Sequence, residues 1–186
     1  MGQLRGAPNS PILKSIMNND ISFMKEALHH AESSLDRGDF PVGCVVTYQD
    51  EIIATGERTG SGGLSSNELD HAEINALRKL NTFNKFNTSQ LSLYSTLEPC
   101  LMCFGAIMIH QIPRIVYAFE DAMGGGSTLD RSGLPPLYAN HYIEIVSGIC
   151  RLESLRLFQA FYDDPGNTYL AGSYLAKYIR QQARVV

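Results

Sequence analysis

Residues 96–110 read TLEPCLMCFGAIMIH and join two different hydrophobic patterns. The alternating run LSLYSTL at 91–97 predicts a β-strand, and the apolar run CFGAIMIHQI at 103–112 predicts a helix over about 99–111. Two of the four cysteines of the chain, Cys100 and Cys103, therefore lie three residues apart where a strand meets a helix, directly after Pro99. This segment is the first candidate for chemistry.

Strands and helices alternate on both sides of this junction. Upstream, the runs PVGCVVTY and DEIIATGER predict a hairpin with its turn near Gln49 and Asp50. An opening hairpin followed by alternating helices and strands predicts an α/β fold, a single-domain three-layer α/β/α architecture with a five-stranded mixed sheet. The predicted strands lie at 41–48, 50–58, 91–97, 114–119 and 142–149, and the predicted helices at 19–38, 70–80, 99–111, 152–162 and 169–184.

The domain organisation follows from the absence of repeats and composition shifts. We expect residues 1–15 to be a flexible N-terminal arm, residues 16–162 to be the functional domain, and residues 163–186 to be a C-terminal helical extension of that domain. The Gly/Ser-rich run TGSGGLSSN at 59–67 lacks the GK[ST] ending of a phosphate-binding loop, so we interpret it as a surface loop.

Composition excludes several classes of protein. The chain has 186 residues, is 44% hydrophobic and 18% charged, and has no apolar run of the roughly 18 residues that a membrane helix needs. The first residues lack the apolar region of a signal peptide, so a cytoplasmic location is expected, where cysteines serve as thiols or metal ligands more often than as disulfides. A formal net charge of −4 argues mildly against a protein built to wrap nucleic acid.

The C-x-x-C pair has three interpretations. A thioredoxin-like redox pair also lies at a helix start, but here Leu101 and Met102 fill the middle positions. A structural zinc site usually needs four protein ligands, and Cys44 and Cys150 are isolated in the sequence. A catalytic zinc site needs only three protein ligands and leaves a position for water.

His71 and Glu73 favour the catalytic interpretation. His71 begins a predicted helix and supplies a third ligand, and Glu73 follows two residues later as a proton shuttle that is not itself a ligand. The pattern H-x-E followed by P-C-x-x-C is typical of zinc deaminases. Two structural alternatives stay open: Glu73 could form a capping box with Asp70, and the cysteines could be buried thiols.

The segments HAEINAL at 71–77 and TLEPCLMCFGAIMIH at 96–110 closely resemble the cytidine-deaminase-like zinc deaminase superfamily, nearest the tRNA adenosine deaminase and guanine deaminase branch. The resemblance extends over about residues 20–160. It implies that His71, Cys100 and Cys103 hold one zinc ion per chain, with a bound water or hydroxide as the fourth ligand, and that Glu73 shuttles protons. It also implies a homodimer.

The same resemblance implies a set of substrate contacts. Arg58 takes the place of an asparagine that usually binds substrate in the adenosine and guanine branches, and Asp121 falls where the tRNA enzymes contact the backbone or ribose. The residues implied to line the base pocket are Val42, Gly43, Ala72 and Leu97.

The resulting functional prediction is zinc-dependent hydrolytic deamination of the exocyclic amine of a nucleobase or nucleoside, with a purine favoured and a small molecule as the partner. The alternative is a tRNA-specific adenosine deaminase acting on adenosine to give inosine. Glu120, Asp163 and Asp164 argue against tRNA, because local acidic charge weakens RNA binding. A C-x-x-C redox protein and a zinc-stabilised binding module remain as non-deaminase alternatives, and no membrane partner is expected.

Overall fold

The computed structural model describes residues 11–62, 67–80 and 87–185. Within these ranges five strands form one mixed sheet in the order β2-β1-β3-β4-β5. β1 runs antiparallel to both β2 and β3, whereas β3, β4 and β5 are mutually parallel. The predicted five-stranded mixed sheet is confirmed. Its strands are β1 (Gly43–Tyr48), β2 (Glu51–Glu57), β3 (Leu91–Leu97), β4 (Arg114–Phe119) and β5 (Glu144–Ser147).

The β1–β2 hairpin turns at the two predicted residues. Gln49 and Asp50 both have positive φ angles, 52° and 62°, which matches the twist that a two-residue hairpin needs. Tyr48 pairs with Glu51 immediately outside the turn. The turn therefore sets the register in which β1 lies between β2 and β3.

Helices cover both faces of the sheet. On one face, Val45, Tyr94 and Val116 of β1, β3 and β4 pack with Met24 and Ala27 of the first helix. The opposite faces of the same strands belong to a second, larger buried cluster. Residues of the helices at 72–80 and 101–109 also belong to this cluster. This alternation confirms the three-layer α/β/α prediction. The helices are α1 (Pro11–Asp36), α2 (Ala72–Leu80), α3 (Leu101–Ile109), α4 (Pro136–Ala139), α5 (Arg151–Asp163) and α6 (Tyr174–Gln181).

Several predicted boundaries differ from the structure. α1 begins at Pro11, eight residues before the predicted start, because proline in the first turn removes only an N–H that has no helical partner. The prediction of an arm over 1–15 therefore overlaps helix at 11–15, and residues 1–10 lie outside the described part of the chain. The short helix α4 was not predicted, and α6 begins at Tyr174 rather than at Tyr169.

The C-terminal extension packs on the same core as the sheet. Leu175, Ala176 and Ile179 of α6 are buried in the larger cluster together with Phe158 and Phe161 of α5. The aromatic residues of α5 are therefore core residues at this end of the sheet. The division of the chain at residues 16, 162 and 163 remains a prediction.

Candidate active site

The cysteine pair lies at the start of α3, beyond the C-terminal end of β3. Cys100 is the N-cap residue of α3, and its carbonyl oxygen accepts the first helical hydrogen bond, from the Phe104 amide at 2.8 Å. Residues three apart share one face of a helix start, so both thiols point to the same side. That side faces the N-terminal end of α2, where His71 directly precedes the helix.

The three predicted metal ligands converge. His71 Nδ1 lies 3.7 Å from Cys100 Sγ and 3.5 Å from Cys103 Sγ, and the three donor atoms lie within 4.8 Å of one another. Tetrahedral zinc with bonds of about 2.3 Å to sulfur and about 2.0–2.1 Å to nitrogen requires nitrogen–sulfur separations of roughly 3.6 Å. The donor set therefore fits a zinc ion with three protein ligands.

The electrostatics of the pair favour one ionised thiol. A hydrogen bond from the Cys103 thiol, helped by His71, lowers the pKa of Cys100 to about 4. The pKa of Cys103 is raised by its hydrogen bond with Cys100 and by burial. A thiolate is the form of cysteine that binds metal, so the lowered pKa of Cys100 favours the form that a zinc ligand needs.

Glu73 lies beside the ligands in the interior. Its side chain is buried, with a relative exposure of 3%, and Oε1 accepts a hydrogen bond of 3.0 Å from Ser95 Oγ. Oε2 lies 3.5 Å from the Cys103 sulfur. Burial raises the pKa of Glu73, which favours a carboxyl that exchanges protons. Because these contacts hold the carboxyl in the interior, it does not form the capping box with Asp70.

A cavity of about 240 Å³ opens beside these residues. Among the predicted substrate contacts, Val42, Arg58, Ala72, Leu97 and Asp121 line it, together with His71, Glu73 and Cys100. The remaining lining residues are Phe40, Glu68, Glu98, Met123, Gly124, Tyr169, Leu170 and Leu175.

Gly43 is the predicted pocket residue that does not line the cavity. Its position packs on α1, where an added Cβ would lie 2.0 Å from the Ala27 carbonyl oxygen. Strand residues alternate between faces, so Gly43 is turned towards α1 while its neighbour Val42 faces the cavity. The prediction for Gly43 is therefore not supported by its position.

Arg58 lines the cavity with its guanidinium bound to protein. The side chain is buried, with a relative exposure of 2%. Nη1 donates to the carbonyl oxygens of Asn67 at 2.7 Å and Thr59 at 3.3 Å, and Nη2 donates to the Tyr169 hydroxyl at 3.2 Å and to Glu68 at 3.4 Å. Arg58 thus connects the loop before α2 to the segment before α6.

Glu98 and Asp121 organise the loop after β4. The Glu98 carboxylate accepts hydrogen bonds from the Asp121 amide and from both the amide and hydroxyl of Ser127. Asp121 Oδ1 accepts from the amides of Met123 and Gly124 at 2.9 and 3.0 Å. One carboxyl therefore anchors both ends of this loop, and the other shapes its turn beside the cavity.

Comparisons with known proteins agree with this site. Residues 17–119 match the family model for the cytidine and deoxycytidylate deaminase zinc-binding region. A tRNA-specific adenosine deaminase of Streptococcus pyogenes serotype M18 is 31% identical over 141 residues, which cover 75% of this chain and 87% of that protein.

The chain belongs to this family of zinc-binding deaminases. The tRNA-specific adenosine deaminase of Bacillus subtilis is also similar, with 31% identity over 150 residues that cover 78% of this chain and 90% of that protein. The predicted family and its tRNA adenosine deaminase branch are confirmed. The protein is accordingly a hydrolytic enzyme that acts on a C–N bond, which decides against the redox and binding-module interpretations.

Solved structures of related deaminases share the fold. A structure from studies of A-to-I editing by tRNA:A34 deaminases has a TM-score of 0.61 and 30% identity, covering 73% of this chain and 98% of that one. A diaminohydroxyphosphoribosylaminopyrimidine deaminase/reductase from Thermotoga maritima has a TM-score of 0.62 and 26% identity. The alignment with it covers 79% of this chain and 42% of the larger enzyme.

Several cavity residues of the deaminase were missed by sequence reasoning. Tyr169 and Leu175 lie about a hundred residues downstream of Arg58 and carry no motif. Glu98 lies inside the quoted TLEPC segment, but its role depends on a loop almost thirty residues away, as the Ser127 contact shows.

Among the described residues no helix combines the length and the hydrophobicity needed to cross a membrane.

Proposed function

We propose that this deaminase converts adenosine to inosine in tRNA. The observation that carries the proposal is the cavity in which His71, Cys100 and Glu73 meet, in a chain that matches tRNA-specific adenosine deaminases over three quarters of its length. The sequence favoured a free base or nucleoside, and the relatives favour the tRNA alternative.

His71, Cys100 and Cys103 would hold one zinc ion, with water as the fourth ligand. A zinc ion held in this way would lower the pKa of that water towards about 7. Val42, Ala72 and Leu97 would pack against the flat base and exclude bulk water from the reacting carbon.

Glu73 would move the protons of the reaction. The net change adds one water to the amine-bearing carbon of the base and releases one ammonia. Glu73 takes a proton from the attacking water, gives a proton to a ring nitrogen, and then assists departure of the amine. Ser95 fixes the carboxyl through the 3.0 Å hydrogen bond, so that one oxygen stays turned towards the metal ligands.

Two of the three acidic residues that argued against tRNA, Glu120 and Asp163, have basic partners. Arg151 binds both oxygens of Glu120, and the Tyr178 hydroxyl donates to the same carboxylate at 2.7 Å. Asp163 forms an ion pair with Arg184. Because these charges are compensated within the chain, they repel phosphates less than the sequence implied.

The proposal is tested by assaying ammonia and inosine with the zinc-loaded protein. An anticodon stem–loop RNA containing one adenosine at the wobble position is compared with adenine, adenosine, guanine, guanosine and cytidine. We expect inosine in the RNA and complete loss of product in Glu73→Ala. Glu51→Ala removes an exposed carboxylate at the start of β2 and serves as the control, with full activity expected. An enzyme that leaves the RNA unmodified but releases ammonia efficiently from a free base would contradict the tRNA proposal.

A small nucleobase or nucleoside is the second candidate substrate. Tyr169, Leu170 and Leu175 form a wall of the cavity, and such a wall narrows the approach for a folded RNA. The same substrate panel separates the two candidates. A rate on free guanine or guanosine far above that on the RNA would favour the small molecule.

We also propose a homodimer that works in the cytoplasm. Leu101 and Ile109 on α3 are 59% and 58% exposed, and Leu137 on the neighbouring α4 is 51% exposed. An apolar surface of this kind is typical of a subunit interface. Light scattering coupled to size-exclusion chromatography should give twice the chain mass, and Ile109→Glu should shift it towards the monomer; a wild-type monomer would contradict the dimer.

A further inference from the structure

The cavity has a buried end and an exposed end. Cys103 and Glu73 at the zinc site are 0% and 3% exposed, whereas Met123 and the Glu68 side chain are 46% and 58% exposed. The reacting amine of a base must reach the buried end. In adenine and cytosine the nitrogen that carries the sugar lies across the ring system from that amine, which would place the sugar of such a nucleoside at the exposed end, where Glu68 lies.

Glu68 is held in place at this end by two other cavity residues. Its Oε2 accepts a hydrogen bond of 2.7 Å from the Tyr169 hydroxyl and lies 3.4 Å from Arg58 Nη2. Arg58 Nη2 also donates to the Tyr169 hydroxyl at 3.2 Å, which closes a three-membered ring of contacts. A carboxylate has about four acceptor positions, so two contacts leave capacity for a ligand.

The charges around the cavity favour a neutral group beside Glu68. Among the described residues that line the cavity, the carboxyls are those of Glu68, Glu73, Glu98 and Asp121, and the one guanidinium is that of Arg58. Both Nη atoms of Arg58 already bind protein. A phosphate at this position would be repelled, whereas a hydroxyl can donate to the carboxylate.

We propose that Glu68 is a specificity-determining residue that accepts a hydrogen bond from the ribose 2′-hydroxyl of the substrate. Arg58 and Tyr169 act as positioning residues that fix its carboxylate. This inference rests on the proposed function only in requiring that the enzyme deaminates a nucleoside unit. The 2′-hydroxyl distinguishes RNA from DNA, so the enzyme selects ribonucleosides over deoxyribonucleosides and over free bases.

The test compares ribose with 2′-deoxyribose at the target position. kcat/KM is measured on the anticodon stem–loop RNA with adenosine or 2′-deoxyadenosine at the wobble position, and on adenosine, guanosine and cytidine beside their 2′-deoxy forms and free bases. The wild type should favour ribose by about ten-fold, the loss expected for one hydrogen bond to a charged group.

The variants separate the hydrogen bond from the fold. Glu68→Ala should bring the ribose-to-deoxyribose ratio to about one, because only the ribose substrate loses a hydrogen bond. Tyr169→Phe should lower the ratio in part, because the carboxylate loses the donor that orients it. The matched controls Glu51→Ala and Tyr174→Phe, both exposed positions, should keep the wild-type ratio.

The possible results decide between the two proposals. A wild-type ratio near one, a ratio that neither variant changes, or a preference for the free base would overturn the role of Glu68. If cytidine reacts and no adenine-bearing substrate does, the tRNA adenosine proposal fails, and the ratio measured on cytidine still decides the role of Glu68. If guanosine or guanine alone reacts, both proposals fail, because the guanine amine does not lie across the ring system from the sugar. If no substrate releases ammonia, both proposals fail.

Discussion

The Ser95 hydroxyl donates a 3.0 Å hydrogen bond to the Glu73 carboxylate and thereby joins the middle of β3 to the first turn of α2. Ser95 has no exposed surface. We predict that Ser95→Ala lowers kcat by about ten-fold or more, since a hydrogen bond to a charged group contributes about 1.5–3 kcal/mol. KM and zinc content should change little, because the carboxylate loses its orientation and the metal ligands stay in place.

The control for this prediction is Ser92→Ala on the same strand, whose side chain lies on the opposite face of the sheet from Ser95. Steady-state kinetics and metal analysis are measured on both variants. A Ser95→Ala enzyme with wild-type kcat would show that Glu73 is held by its other surroundings.

Removal of the metal should abolish activity and lower stability. A chelator should inactivate the protein, added Zn²⁺ should restore it, and the melting temperature should rise with metal because zinc binds only the folded arrangement of the three ligands. Cys103→Ala should bind no stoichiometric zinc, whereas Cys150→Ser, at the N-cap of α5 away from the site, should bind as the wild type does. Full activity in a metal-free sample would contradict the assigned ligand set.

The candidate ligand set could be proposed from sequence because each of its residues lies at a helix start. Cys100 and Cys103 share one helix face through their spacing alone, and His71 and Glu73 open the neighbouring helix. The local sequence pattern therefore predicts both which residues are candidate ligands and on which side of the helix starts their side chains lie. The alternation of strands and helices likewise determined the sheet and its two covering layers.

The cavity residues near the C-terminus could not be predicted from the sequence, because their positions depend on long-range packing. Arg58 and Tyr169 are 111 residues apart in sequence and meet only after α5 and α6 have packed on the sheet. The orientation of Gly43 depends on the close approach of α1, which cannot be predicted from the sequence of the strand alone. In the sequence Glu120 counts as local acidic charge, because its partner Arg151 lies on a helix that only the fold brings near.

Gly125 is required by its closeness to Glu98. An added Cβ at this position would lie 2.4 Å from the Glu98 carboxyl, which anchors the loop after β4. We predict that Gly125→Ala destabilises the protein by about 1–3 kcal/mol, the usual cost of overpacking, and raises KM because the loop borders the cavity.

Gly172→Ala provides the matched control, because among the described residues no atom beyond its chain neighbours lies within 4 Å of the added Cβ. Urea unfolding and kinetics are measured on both variants. Equal stability of the two would show that the Glu98 carboxyl moves aside at little cost.

Glu120 should contribute a pH-dependent part of the stability. Burial opposes its ionisation, but hydrogen bonds from Arg151 and Tyr178 outweigh burial and lower the pKa of Glu120 below its ordinary value of 4.5. A carboxyl whose pKa is lower in the folded state stabilises the protein above the unfolded pKa, and this contribution is lost as the pH falls through the folded pKa. Glu120→Gln should therefore be less stable than the wild type at pH 7, by about 1 kcal/mol or less for a partly exposed pair, and the difference should shrink below about pH 4.5.

Urea midpoints between pH 7 and pH 3 measure this difference in stability. The same substitution made in an Arg151→Gln background removes the pairing for comparison. A deficit that stays constant with pH in the wild-type background would mean that Glu120 acts through packing and not through its charge.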